Sequence, residues 1–588
     1  MKKKQILSTL LVATMMGTMF AGCGQTTETN GSDETSSTGT TVVESTATAS
    51  TEEESAYPDY LNLDGYFPIV KEGEDVTLKI TIVDRPDLSE DPMDRHFWQL
   101  VEQKMNIDVE IEQISNEGAA EYINMLFASD ELPDILITTK ALTTEQLVTY
   151  GMEEGQLMDM TPYMTDATLM PRLNELYDLY PALKASLTAP DGGMYSQVSI
   201  ADFEASASIY QRRHINGHAL NAIGKEAPKT LDEFADMLYL MKENDPNIIP
   251  LDGAFKDGTD PSNIIMNALG YNTNNDYSIF NVALRNGVLG IPAADKEIYG
   301  EYVTLMKKFF EDGIIHRDFF TQDVNAVKLH VSEGNVGVWC AGIDPTDFDS
   351  GVYQIVPALT SEYSDTPVLG HTPLFTIGKF VVSAKTEYPE VVARLCDYLY
   401  TQEGTTLVSY GPFTTQEHLM LDGYAGITLH EETRDLVYSE VESGAYENSG
   451  QVRRALYEGF EDAIGCKHDQ VKWRQIAYEI EDVRSDYENW VIGEKTKGSW
   501  WRAKLYDAYK PITTDGIPVL YFDEATSLRI NEINSVLNPH MESETIKFIT
   551  GERPLDELDK YFEELEKLGY SELTGFYNEA YANYLNNL

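Results

Sequence analysis

Of the 588 residues, 97 are Asp or Glu, so close pairs of carboxylates arise by number alone and mark no acid–base couple. The signatures that carry chemistry at fixed spacing are missing. There is no HExxH stretch to hold a metal, no GxSxG elbow to present a nucleophile, no Walker A loop to cradle phosphates and no CxxC pair. Cys340, Cys396 and Cys466 form an odd and widely spaced set, which reads as three buried thiols rather than as a disulfide framework or a zinc site. Catalysis is not expected, and neither is a cofactor.

The fourth thiol, Cys23, has a setting of its own. Lys2, Lys3 and Lys4 make a basic start, residues 6–20 an apolar run too short to span a bilayer comfortably, and Ala21-Gly22 a small-residue cleavage site. Phe20-Ala21-Gly22-Cys23 resembles a bacterial lipobox, in which the thiol is diacylated before the signal is removed; Phe20 stands where Leu is more usual. An ordinary secretory signal followed by an incidental Cys is the other reading. Two acyl chains on one residue anchor stably where a single chain is marginal. The expectation is a signal over 1–22, a lipid on Cys23 and a place on the extracellular face of the cell membrane.

Behind that anchor, residues 23–55 are Thr, Ser, Glu and Gly with almost nothing apolar, too little to offset the entropy of ordering, and read as a flexible linker. No later run is apolar and long enough to cross a membrane. A formal net charge of −54 keeps the chain soluble and argues against nucleic acid or an anionic membrane surface as partner. The length suffices for two or more lobes, each with its own core. A strand is expected at 76–83 (VTLKITIV), an amphipathic segment at 94–105 and an alternating strand at 108–114; a helix follows at 119–128 and a short apolar strand at 134–138 (DILIT). That succession is the mark of a doubly wound α/β lobe, in which ligands lie off the carboxyl ends of the strands. The loops to watch begin at Asp84, Ser115 and Thr139.

Seven segments, in one order across most of the chain, resemble those of bacterial extracellular solute-binding proteins of family 1, the substrate-binding lipoproteins of ABC importers. They are LFASDELPDILIT (126–138), the stretch 156–181 opening QLMDMTPYM, DGGMY (191–195), the stretch 228–246 with KTLDEFADMLYLMKENDP, FFEDGIIHRD (309–318), LCDYLYTQEGTTLVSYG (395–411) and the stretch 546–569 with KFITGERPLDELDKYFEELEKLG. The resemblance implies a type II periplasmic-binding-protein fold: two doubly wound α/β lobes, a hinge crossed more than once, and an extended helical C-terminal region. On that map 56–196 with 379–411 make lobe one and 209–369 with 412–588 make lobe two. Residues 197–208 and 370–378 are the crossings, extended and rich in small or β-branched residues; ordinary internal strands are the alternative. The resemblance further implies a monomer that traps a carbohydrate, an oligosaccharide, between closing lobes and delivers it to permease subunits.

A sugar ring has apolar C–H faces and a rim of hydroxyls, which calls for aromatic platforms beside Asp, Asn, Gln or Arg. The 35 Tyr, 21 Phe and 6 Trp are ample for this, although most must serve the core. Trp339 and Asp344, in GNVGVWCAGIDP (334–345), are candidate contacts, with Trp339 equally readable as core. Asp202 and Phe203 lie in the first crossing, Phe203 also readable as hinge packing. Arg212 and Arg213 follow a short strand in QRRHINGHALNAIG (211–224), where the Asp-Trp pair of the resembling proteins is replaced and their contacts do not transfer. Asp84 and Arg85 after the first strand, and Lys140 after DILIT, are candidates that also read as solvated loop charges. Trp473 completes the set, its helical spacing fitting burial as well.

Some polysaccharide-binding relatives carry a calcium loop at the position where this chain reads Asp245-Pro246-Asn247-Ile248-Ile249-Pro250. Its glycine turn and later oxygen ligands are missing here, so no metal is expected, and Asp252, Asp257 and Asp260 beyond it are notable only by count. Two rival functions remain open: the same fold presenting a peptide or sugar to a sensor system, and a surface enzyme acting on glycans.

Overall fold

The computed structural model describes residues 56–84, 91–201, 213–273, 279–340, 353–370, 374–431, 436–457, 460, 463–466, 513–514, 516–586 and 588. Strand β1 (Thr77–Asp84) buries Leu78, Ile80 and Ile82 on one face. Helix α1 (His96–Met105) turns Phe97, Trp98, Leu100 and Val101 inward and stops at Asn106, whose left-handed φ of 56° ends the helix. Strand β2 (Asp108–Ser115), helix α2 (Ala119–Ser129) and the fully buried β3 (Ile135–Thr138) follow. The βαβαβ run read from periodicity is present, with β1 parallel to both β2 and β3.

Strand β4 (Val198–Ile200) and β5 (Arg213–Asn216) come next. Then come α3 (Leu231–Asn244), β6 (Ile249–Leu251), α4 (Ser262–Ala268), α5 (Tyr299–Glu311), α6 (Val324–Ser332) and β7 (Val336–Cys340). Thr230 caps α3 by accepting a hydrogen bond from the Glu233 amide at 3.1 Å, and Asp323 caps α6 in the same way. Later strands that build the larger sheets are β8 (Tyr353–Ile355), β9 (Phe375–Ile377), β10 (Phe380–Val382) and β11 (Gly465–Cys466). The later helices are α7 (Pro389–Tyr400), α8 (Gln402–Tyr410), α9 (Glu524–Thr550), α10 (Leu558–Lys567) and α11 (Tyr570–Asn586).

Three sheets organise the described residues. The first has the order β10-β3-β1-β2, with β10 antiparallel to β3. The second has the order β8-β5-β7-β6; only the β6–β7 pairing is parallel. Both sheets are therefore mixed, and the doubly wound expectation describes the βαβαβ run but not the second sheet. A run such as FVV at 380–382 is apolar enough to be a buried strand, yet nothing in it encodes direction. The third sheet has the order β9-β4-β11 and joins the two segments expected as crossings, β4 with β9 antiparallel; β11 lies parallel to β4 on the other side.

Two large hydrophobic cores lie among the described residues. One is built from residues within 61–200 and 375–466, the other from residues within 215–359 and 520–573. Leu419, Leu421, Phe460 and Ile464 belong to the first, a correction to the expectation that everything after residue 411 sits in lobe two. The reason is a contact far apart in sequence: Phe460 packs on Phe97 and Trp98 of α1, each ring pair 5.4 Å apart. The C-terminal helices do join the second core, where the Tyr561 hydroxyl donates to the Ala293 carbonyl at 2.9 Å.

Candidate ligand-binding site

Asp84 closes β1 opposite Ser115 of β2, and its carbonyl accepts the Asn116 amide at 2.6 Å. Its residue is 3% exposed. Lys140 is exposed on the loop after β3, its backbone held by Thr138, whose hydroxyl donates to the Lys140 carbonyl (3.0 Å) and accepts its amide (3.1 Å). The same loop is pressed onto Gly378, which accepts the Leu142 amide at 2.8 Å. Gly378 has φ +81°, and a Cβ there would lie 2.2 Å from the Leu142 carbonyl oxygen, so only glycine fits.

Arg213 and Trp339 stand at one end of the second sheet, on paired strands: Arg213 is opposite Cys340 and His214 opposite Trp339. The Arg213 guanidinium is buried and bonds the side-chain oxygen of Asn267 and, at 3.4 Å, the carbonyl of Asn263 on α4. Trp339 is 1% exposed, stacked on His214 at 5.1 Å and 25°, and packed with Ala254, Val327 and Val331. Both side chains sit inside the protein in this arrangement, Trp339 in the core position that its alternation left open. Arg85, Asp202, Phe203, Arg212, Asp344 and Trp473, together with Cys23, lie outside the described residues.

A cavity of about 540 Å³ opens where segments from the two cores meet. From the first core come Leu142, Thr144 and the β9 strand; from the second come Phe280–Val282, Ile291 and Asn534, Asn538 and Tyr577 of the C-terminal helices; a strap over 517–522 completes the wall. Its volume lies in the range of small-molecule sites, about 300–1,000 Å³. Phe280, Phe375, Phe522 and Tyr577 supply rings, Phe522 and Tyr577 being set edge to face at 5.1 Å. Thr144, Asn281, Thr376, Asn534 and Asn538 supply uncharged polar groups. Asn534 and Asn538 are one helical turn apart on α9 and so share a face. The Asn538 side-chain oxygen is shut away from solvent with no hydrogen-bond partner.

Glu145 lies next to the lining residue Thr144. Burial, and then the charge of Glu524 at the start of α9, holds the Glu145 carboxyl above the usual range. Burial alone raises the Tyr577 hydroxyl, which stays neutral. Rings flanked by amides and hydroxyls, with no charged side chain in the wall among the described residues, suit a neutral polyhydroxyl ligand.

The other chemistry-bearing groups are occupied elsewhere. Asp252, fully buried, accepts from Gln322 Nε2 (2.8 Å) and pairs with His330 Nδ1 (2.8 Å). Asp257 accepts the Thr259 amide at 3.1 Å, and Asp260 accepts the Lys256 and Ser262 amides at 2.9 Å. Among the described residues no group of three or more His, Cys, Asp or Glu is placed to hold a metal ion. Cys340, Cys396 and Cys466 are buried, and burial pushes the Cys340 thiol up to about 12. Of the cavity residues, those of β9 and, in the loop that begins at Thr139, Leu142 and Thr144 lay in segments singled out from sequence; Asn281, Asn534 and Asn538 come from stretches with no motif, and only the fold brings them together.

No family model matches the chain. It is 22% identical over 555 residues to the fructooligosaccharide ABC transporter substrate-binding protein FusA of Streptococcus pneumoniae, covering 90% of this chain and 93% of that one. A solved structure of FusA in complex with kestose matches with a TM-score of 0.62 at 21% identity, over 87% of this chain and all of that one. Lipoprotein LipO of Bacillus subtilis is 23% identical over 500 residues, 81% of this chain and 86% of its own. A solute-binding protein of Bifidobacterium longum infantis, described as HMO-binding and ABC-transporter-associated, matches with a TM-score of 0.66 at 18% identity, over 86% of this chain and 98% of that one.

Proposed function

We propose, on the premise that this chain is an extracellular solute-binding protein of the ABC-importer kind, that it captures a neutral oligosaccharide between its two cores and delivers it to a permease. The observation that carries the reading is the 540 Å³ cavity, walled by both cores and lined with rings, uncharged amides and hydroxyls. FusA, by its name and its kestose complex, binds sugars of this class. A ligand touching both sides favours the arrangement that brings them together, and needs no bond to be made or broken. The third sheet, β9-β4-β11, is the hinge in this reading. A lipid on Cys23 holds the receptor beside its permease, where tethering raises the effective concentration of one for the other; the name of LipO supports that anchor.

Calorimetric titration of the full chain in detergent micelles with kestose, other neutral oligosaccharides and short peptides tests the proposal. Saturable binding of an oligosaccharide is expected, and at a hundred times its dissociation constant the ligand should stabilise the fold by about 2.7 kcal/mol. Binding of peptides alone would sink it.

A further inference from the structure

The strap that walls the cavity reads GIPVLYF over 516–522. Its side chains divide between the cores: Val519 and Tyr521 pack against the first, Ile517, Leu520 and Phe522 against the second. An extended segment with both faces covered behaves in this way. Tyr521 is its polar anchor. The hydroxyl donates to the Leu187 carbonyl at 3.1 Å and lies 3.4 Å from the Ser186 carbonyl. Both carbonyls belong to the last turn of the short helix Pro181–Leu187, where helical backbone leaves its acceptors open. Burial, and then Asp191, raises the Tyr521 pKa, so the group remains a neutral donor.

Residues 517–520 and Phe522 line the 540 Å³ cavity, whereas Tyr521 lines a separate opening of about 740 Å³ with Lys184 and Thr188. Tyr521 thus fixes a wall of the first cavity without being part of it. The bond it makes is to the first core, while the wall it fixes meets α9 of the second.

We propose that Tyr521 is a positioning residue for ligand capture: by tying the strap to the open carbonyls of residues 186 and 187, it holds the cavity wall in the place where both cores contact the oligosaccharide. The inference rests on the proposed function and deepens it. A ligand that needs both sides pays for any displacement of the strap as a loss of affinity, because only the fraction of molecules with the wall in place is competent to bind.

The test is Tyr521→Phe, which keeps the ring and its packing and removes only the hydroxyl. In the ligand-free full chain, amide hydrogen exchange across 516–522 should quicken while β1 and α7 keep their protection. Titration with kestose should show a dissociation constant raised about two- to tenfold, the size of one neutral hydrogen bond. Unchanged exchange in the strap overturns the clip itself. Faster exchange with an unchanged constant overturns the positioning role and leaves the proposed function standing. If Asn538→Ala also leaves the kestose constant unchanged, the cavity reading fails, and the inference with it.

Discussion

Asn538 and Trp339 show how differently two polar-edged side chains are used. Asn538 lines the cavity, and its side-chain oxygen is enclosed with no donor. Asn538→Ala is expected to weaken kestose binding about two- to tenfold in calorimetry, with little loss of stability, since the group removed was unsatisfied. Trp339, by contrast, is enclosed by His214, Ala254, Val327 and Val331. Its truncation to Ala should cost about 3–5 kcal/mol in urea unfolding of the free protein. A variant of unchanged stability would return Trp339 to the list of ligand contacts.

At the scale of elements, the third sheet is fixed from below by Tyr400 of α7. Its hydroxyl donates to Gln197 Oε1 at 3.0 Å and accepts the Val198 amide at 3.0 Å. Tyr400→Phe would leave both partners buried and unpaired, so a loss of about 1–3 kcal/mol is expected in urea unfolding. Much of the first sheet was legible because period-two and period-3.6 patterns in 76–138 are set by that sheet's own two faces. Segments 198–200 and 375–377 were visible as extended and β-branched. Gly465–Cys466 was not: two residues carry no period, and they become a strand only because β4 offers them an edge. Phe460 was misplaced for the same kind of reason, since the α1 surface that receives it is distant in sequence. The polar residues of the cavity were not legible because they are isolated in separate segments, and a charge at a strand end gives no sign of the Asn263 and Asn267 that the Arg213 guanidinium meets.

For the molecule as a whole, charge makes two predictions. The Glu145 carboxyl is held above the ordinary range by burial and by Glu524, so the folded state favours its protonated form. The penalty for ionising it is present above the folded pKa and disappears as pH falls below the unfolded one. Glu145→Gln should therefore raise the urea midpoint at neutral pH, and the advantage over the parent chain should vanish on acidification below the usual glutamate range. A net charge of −54 also predicts that the association rate of neutral kestose is indifferent to salt, whereas an anionic oligosaccharide, if bound at all, binds faster as salt rises; stopped-flow fluorescence would separate the two.

The pairing of β3 with β10, Leu136 opposite Val381, governs how the protein can be made. Nearly all of the second core's first stretch lies between these partners in the chain, and that core in turn needs residues as late as Leu573. Neither half can be finished while it is being synthesised, because loop closure over such spans is slow and comes late. This delay holds the polypeptide open for longer, the state that passage through a translocation channel requires of any exported chain. It also leaves β3 with a bare edge in transit, a template for aggregation that a holding chaperone would have to cover until residues 380–382 arrive.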